Sequence, residues 1–133
     1  MSEPKRYTVA VDFDGVIHDY NGDFKAQHII EGPPVEGAIS WLFITLQKLD
    51  IVIFSCRASS WRGRRAIRAW LKKHADGIWH EHPGCFGLED IRITDSKPHA
   101  LVYLDDRAVR FVGTNFPTVN EIHQARPWNR KRL

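Results

Sequence analysis

Three short apolar runs, each closed by a polar group, limit what this chain can fold into. Residues 7–11 (YTVAV) end at Asp12, residues 51–54 (IVIF) end at Ser55, and residues 101–104 (LVYL) end at Asp105. Continuous apolar runs of this length, rich in β-branched and aromatic residues, read as strands buried on both faces. Between the first two runs, apolar side chains recur at 38, 39, 42, 43, 46 and 49, which is helical spacing. After the second run, residues 59–76 form an amphipathic pattern with Ile67, Trp70, Leu71 and His74 on one face, and Ser59 or Ser60 in place to cap it. Residues 91–93 (IRI) fit a short strand, and residues 119–125 (VNEIHQA) a short helix. Strands separated by helical patterns imply an α/β fold built on a mainly parallel, Rossmann-like sheet. Right-handed crossovers are expected to put helices on both of its faces.

The length, 133 residues, suits a single domain over 1–133, with a basic tail from about 125 to 133. A hydrophobic content of 43% supports a core, and 26% charged residues exclude a disordered acidic chain. No run of 18 apolar residues occurs, so no membrane span is expected. The first residues lack the layout of a signal peptide. Two cysteines, Cys56 and Cys85, make a disulfide framework improbable, so a reducing, cytoplasmic setting is expected. Cys56 reads as a small buried filler.

In parallel sheets, ligands bind beyond the carboxyl ends of the strands. That edge should gather Asp12 and Asp14 from DFDG, Ser55, and Asp105 and Asp106 from YLDD, with Lys97 just ahead of the third run. Carboxylates brought to one point repel unless a cation joins them, and hard oxygen ligands suit Mg²⁺.

The segments DFDGV, FS, SKP and YLDD resemble, in order, the four motifs of the haloacid dehalogenase superfamily of phosphohydrolases. The resemblance runs from about residue 7 to residue 112. It implies that Asp12 is the nucleophile that carries a transient aspartyl-phosphate, and that Asp14 is the general acid and then the base. It implies that Ser55 donates to a phosphoryl oxygen, and that Lys97 pairs with the phosphoryl group and with Asp12. Asp105, with Asp106 beside it, would ligate magnesium together with Asp12 and the backbone carbonyl of Asp14. An acid at Asp14 must hold a proton near neutral pH, so its pKa is expected to be raised. The intervals between motifs leave room for a minimal cap or none, and the style resembles small phosphatases acting on nucleotides or nucleic-acid ends.

Charge distribution adds to this. Residues 51–75 contain no acidic side chain and seven basic ones: Arg57, Arg62, Arg64, Arg65, Arg68, Lys72 and Lys73. The tail adds Arg126, Arg130, Lys131 and Arg132. Such a patch attracts polyanions, and Trp61 and Trp128 could stack on bases, against the plainer reading of a solvated helix face with tryptophans in the core. Arg57, two residues past Ser55, is the best single candidate for a substrate contact. His74, His80, His82 and Cys85 could ligate zinc, although their spacing is not that of a standard finger. Two rival functions follow from the same residues. One is a phosphoaspartate signalling domain, disfavoured because the acidic pair comes last. The other is a nucleic-acid-binding module with an inactive phosphatase site.

Overall fold

A computed structural model describes residues 5–20, 22, 24–75 and 85–125. Its elements run β1 (Thr8–Asp12), α1 (Ala38–Leu46), β2 (Asp50–Phe54), α2 (Trp61–Ala75), β3 (Arg92–Thr94), β4 (Val102–Leu104) and α3 (Val119–Gln124), with single 3₁₀ turns at Cys56–Ser59 and Leu88–Asp90. The four strands form one all-parallel sheet in the order β3-β2-β1-β4. The architecture is α/β and compatible with a Rossmann-like fold.

The register explains which face is filled. Val9 and Val11 of β1 stand beside Ile51 and Ile53 of β2. Alternate residues of a strand share a face, and these four pack with Leu42 and Leu46 of α1 and with Ile67, Trp70, Leu71 and Ala75 of α2. Ile67 and Leu71 are completely buried, and each such side chain contributes roughly 1.5–3 kcal/mol relative to exposure. Helix α2 starts where expected, because the Ser60 hydroxyl accepts from the Gly63 amide at 3.0 Å. Gly63 is needed there for a second reason: a Cβ would overlap the Arg57 carbonyl of the preceding turn.

Both packed helices lie on this one face, which corrects the expectation of helices on both. The physical reason is topological. The steps β1 to β2 and β2 to β3 run in the same direction across the sheet, so right-handed crossovers place α1 and α2 on the same side. The return from β3 to β4 carries no helix, and α3 buries no residue. A second correction concerns β4. It pairs with β1 through Val102, Tyr103 and Leu104, but all three are exposed rather than buried, since neither helix reaches over that edge. Among the described residues, no helix is long and apolar enough to cross a membrane.

A candidate phosphoryl-transfer site at the carboxyl edge

The register of β1 with β4 carries Asp12 and Asp105 off adjacent strands at the same end of the sheet. Oxygens of Asp12, Asp105 and Asp106 all lie within 4.8 Å of one another. Asp106 comes this close because residue 15 is glycine. Gly15 has φ +91°, and a Cβ there would overlap the Asp106 carboxylate. The position therefore requires glycine twice, for its left-handed backbone and for the carboxylate above it. Asp106 Oδ1 is buried and accepts no hydrogen bond from the described residues. A buried carboxylate oxygen without a partner is costly, and Asp106 is one of three carboxylates here whose hard oxygens fit a cation such as Mg²⁺. The orphaned oxygen and the glycine cradle are the grounds for that fit.

The electrostatics of Asp12 match. Burial, then repulsion from Asp105 and more weakly from Asp106 and Asp14, push its carboxyl up to about 7, against the pull of the Phe13 amide. That amide donates to Asp12 Oδ1 at 2.9 Å. A cation at the cluster would reverse this balance by favouring the charged form. Asp12 and Asp105 also line a cavity of about 340 Å³ on the sheet face that carries no helix. Lys97 lines it too, along with Tyr103 and Phe54. The Lys97 ammonium lies 5.1 Å from the centre of the Tyr103 ring, and the Tyr103 hydroxyl donates to the Pro98 carbonyl, which fixes the turn that presents Lys97.

Asp14 is placed differently. Its Oδ2 accepts from Arg57 Nε at 2.8 Å and its Oδ1 is 2.8 Å from His18 Nδ1. The Gly32 amide donates to His18 Nε2 at 2.9 Å, so Nε2 is an acceptor and the ring proton sits on Nδ1, where it is donated to Asp14. Burial alone would raise the Asp14 carboxyl, but the hydrogen bonds from His18 and Arg57 and the guanidinium charge outweigh it and hold the group below the ordinary carboxylate range. The expectation of a raised pKa at Asp14 is thus overturned. Both of its side-chain oxygens are committed, and its carboxylate lies outside the acidic cluster.

Arg57 is drawn into the same network. It is 1% exposed, and besides Asp14 its Nη1 donates to the carbonyls of Ala26, Gln27 and Ile29 at 2.9–3.2 Å. The guanidinium stacks 4.9 Å from the Phe24 ring centre. This arginine clamps the 24–29 flap onto the end of β1, and it also lines a cavity of about 210 Å³ with His18, Lys25 and Glu31. The flap is further held by Trp70 Nε1, which donates to the Gly32 carbonyl at 3.0 Å, and by Phe13, His18 and Trp70 packed ring against ring. Sequence reasoning missed His18 and the clamp. The signal available was a single histidine four residues past Asp14 and an arginine ahead of a helix, neither distinctive.

Ser55 is buried at the end of β2, where its hydroxyl accepts from the Arg57 amide at 3.2 Å and opens the 3₁₀ turn. It is not among the residues that line the Asp12 cavity. Cys56 is exposed rather than buried, and both Cys56 and Cys85 are unpaired. Of the zinc candidates, His80 and His82 lie outside the described residues, as do Arg126, Trp128, Arg130, Lys131 and Arg132. No family model, no curated protein and no solved structure matches this chain.

Proposed function

We propose that the protein is a Mg²⁺-dependent phosphomonoesterase of the haloacid dehalogenase type that works through an aspartyl-phosphate on Asp12. The observation that supports this most is the convergence of Asp12, Asp105 and Asp106 within 4.8 Å, beside a cavity that also takes in Lys97. The three carboxylates would hold the ion, with the Asp14 carbonyl as the further ligand that the resemblance implies. When bound, the ion supplies positive charge to the phosphoryl oxygens.

The side chains do the rest. An Asp12 oxygen attacks phosphorus as the bond to the ester oxygen breaks, and Lys97 balances charge on the transferring group. The departing alcohol oxygen takes its proton from solvent, since Asp14 stands as an anchored carboxylate. The resemblance gives Asp14 the role of base: a lone pair not used by His18 or Arg57 would take the proton of the water that attacks the aspartyl-phosphate, and inorganic phosphate leaves as Asp12 is regenerated. Arg57 and His18 are positioning residues for Asp14. Without a protein acid in the first step, aryl phosphates with acidic leaving groups should react faster than alkyl esters.

The test is hydrolysis of p-nitrophenyl phosphate with and without Mg²⁺. Wild type should turn over only with the metal, and Asp12→Asn should lose at least about 10³-fold in rate. Equal rates in the two proteins would remove Asp12 from its role. Salt-sensitive nucleic-acid binding with no turnover on any phosphate ester would favour the inactive-site reading instead.

A further inference from the structure

Helix α2 presents a second feature that the acidic cluster does not use. Trp61, Arg64, Arg65, Arg68 and Lys72 fall on one stripe of the helix, and with Ile93 of β3 they line an open groove of about 490 Å³. Trp61 is 62% exposed, so it is not a core residue, and the Arg65 guanidinium lies 5.3 Å from its ring centre. Among the described residues, none of these four cations is paired with a carboxylate. Arg64 donates to the Ala58 carbonyl at 2.7 Å, and Arg68 to the Ile91 and Glu89 carbonyls at 2.6 and 3.3 Å. Such bonds fix the direction of the guanidinium groups without neutralising them. The stripe from Trp61 to Lys72 covers twelve residues, and its eleven rises of 1.5 Å make about 16 Å. That is the length of four or five stacked nucleotides at about 3.4 Å each.

From these observations we infer that the α2 groove is a docking surface for single-stranded nucleic acid, with an unpaired base stacked on Trp61 and backbone phosphates against Arg64, Arg65, Arg68 and Lys72. Charge complementarity favours a polyanion. The exposed indole with a cation beside it favours unpaired bases, because a duplex keeps its base faces covered. The Trp61 end of the stripe is the end nearest the carboxyl edge: Ile93 pairs with Ile53, which pairs with Val11, one row before Asp12. At about 4.8 Å per strand, β3 lies roughly 10 Å from β1. If the phosphatase reading holds, on which this last step rests, a strand docked on α2 that continues past Trp61 runs toward the carboxyl edge that carries the acidic cluster.

The experiment separates docking from catalysis. Binding of a fluorescein-labelled ten-nucleotide oligothymidylate is followed by anisotropy in the Asp12→Asn background, where no turnover interferes. The expected result is binding whose log affinity falls with log salt at a slope near −3, from four contacts at about −0.7 each. Trp61→Ala should weaken it by about 5- to 100-fold, and Arg65→Glu with Lys72→Glu should abolish it at physiological salt, with thermal midpoints unchanged because all three side chains are on the surface. Absence of binding at low salt would overturn the inference. So would equal affinity for blunt duplex or for polyglutamate and indifference to Trp61→Ala, since either would reduce the groove to a generally charged face. An inactive wild type that still binds in this pattern would leave the docking surface standing and remove only the phosphatase.

Discussion

The half of the molecule built from β1, β2, β3, α1 and α2 meets the segment from 101 to 125 along three parallel pairs between β1 and β4, and where Asp106 sits over Gly15. In the first, Val11, Ile53, Ile67 and Leu71 are fully buried. In the second, Leu101, Val102, Leu104, Phe111, Val112, Phe116, Val119 and Ile122 are all exposed. The two regions do not differ in apolar content but in whether a second layer covers it, and the strand order decides that. The candidate site lies across the junction: Asp12 belongs to the packed half, Asp105 and Asp106 to the exposed segment. Without a cation, the site pushes the two regions apart by like charge. With one, it ties them together.

Breaking the packed half should cost most. Arg57→Ala leaves the Asp14 carboxylate buried without its cation and frees the carbonyls of the 24–29 flap. Losing one partner of a buried pair typically costs about 3–5 kcal/mol, read as a shift in the denaturant midpoint. Arg57→Lys should recover little, since an ammonium cannot span Asp14 and three carbonyls at once. Leu71→Ala, from the centre of α2, should cost about 2–5 kcal/mol by the same measurement.

The junction should respond to metal and pH together. In metal-free protein, folded Asp12 keeps its proton up to about pH 7, while the unfolded chain loses it near the ordinary value of 3.8. Between these values the folded state holds more protons, so stability falls as pH rises. Asp12→Asn removes that fall: in EDTA the variant and wild type should be alike near pH 4, and the variant more stable at pH 8. Mg²⁺ should narrow that gap at pH 8, with a gain for wild type of about 2.7 kcal/mol at one hundred times the dissociation constant. Asp14 runs the other way. Its lowered pKa contributes stability above the ordinary carboxylate range, lost as the solution is acidified. The smallest effect belongs to the exposed segment. Phe116→Ala should change stability by no more than about 0.5 kcal/mol. A cost like that of Leu71→Ala would mean that a covering layer exists there.

Much of this division is written in local sequence, and some of it is not. The runs that became β1 and β2 are apolar enough to be strands anywhere, and Ser60 with the stripe Ile67, Trp70 and Leu71 marks α2 by capping and period. The acidic tips were legible because two carboxylates closing an apolar run need a partner. The exposure of β4 was not, since YLDD looks as buried as VDFD until the strand order shows that no helix crosses it. Nor was the Arg57 clamp: three of its acceptors are carbonyls in a loop, and carbonyls carry no sequence signal. The same blind spot reversed the expectation for Asp14, because its pKa depends on His18, four residues on, and on Arg57, arriving from 43 residues away.

The central claim is that Asp12 takes the phosphoryl group onto its own carboxylate, and trapping that species tests it most directly. Protein turning over a radiolabelled phosphate ester with Mg²⁺ is quenched in acid, digested and mapped. Label that is lost in base and sits on the peptide containing Asp12, and that vanishes in Asp12→Asn and in EDTA, is the predicted result. Turnover with no trapped label, or label on Ser55 or any other residue, would contradict it.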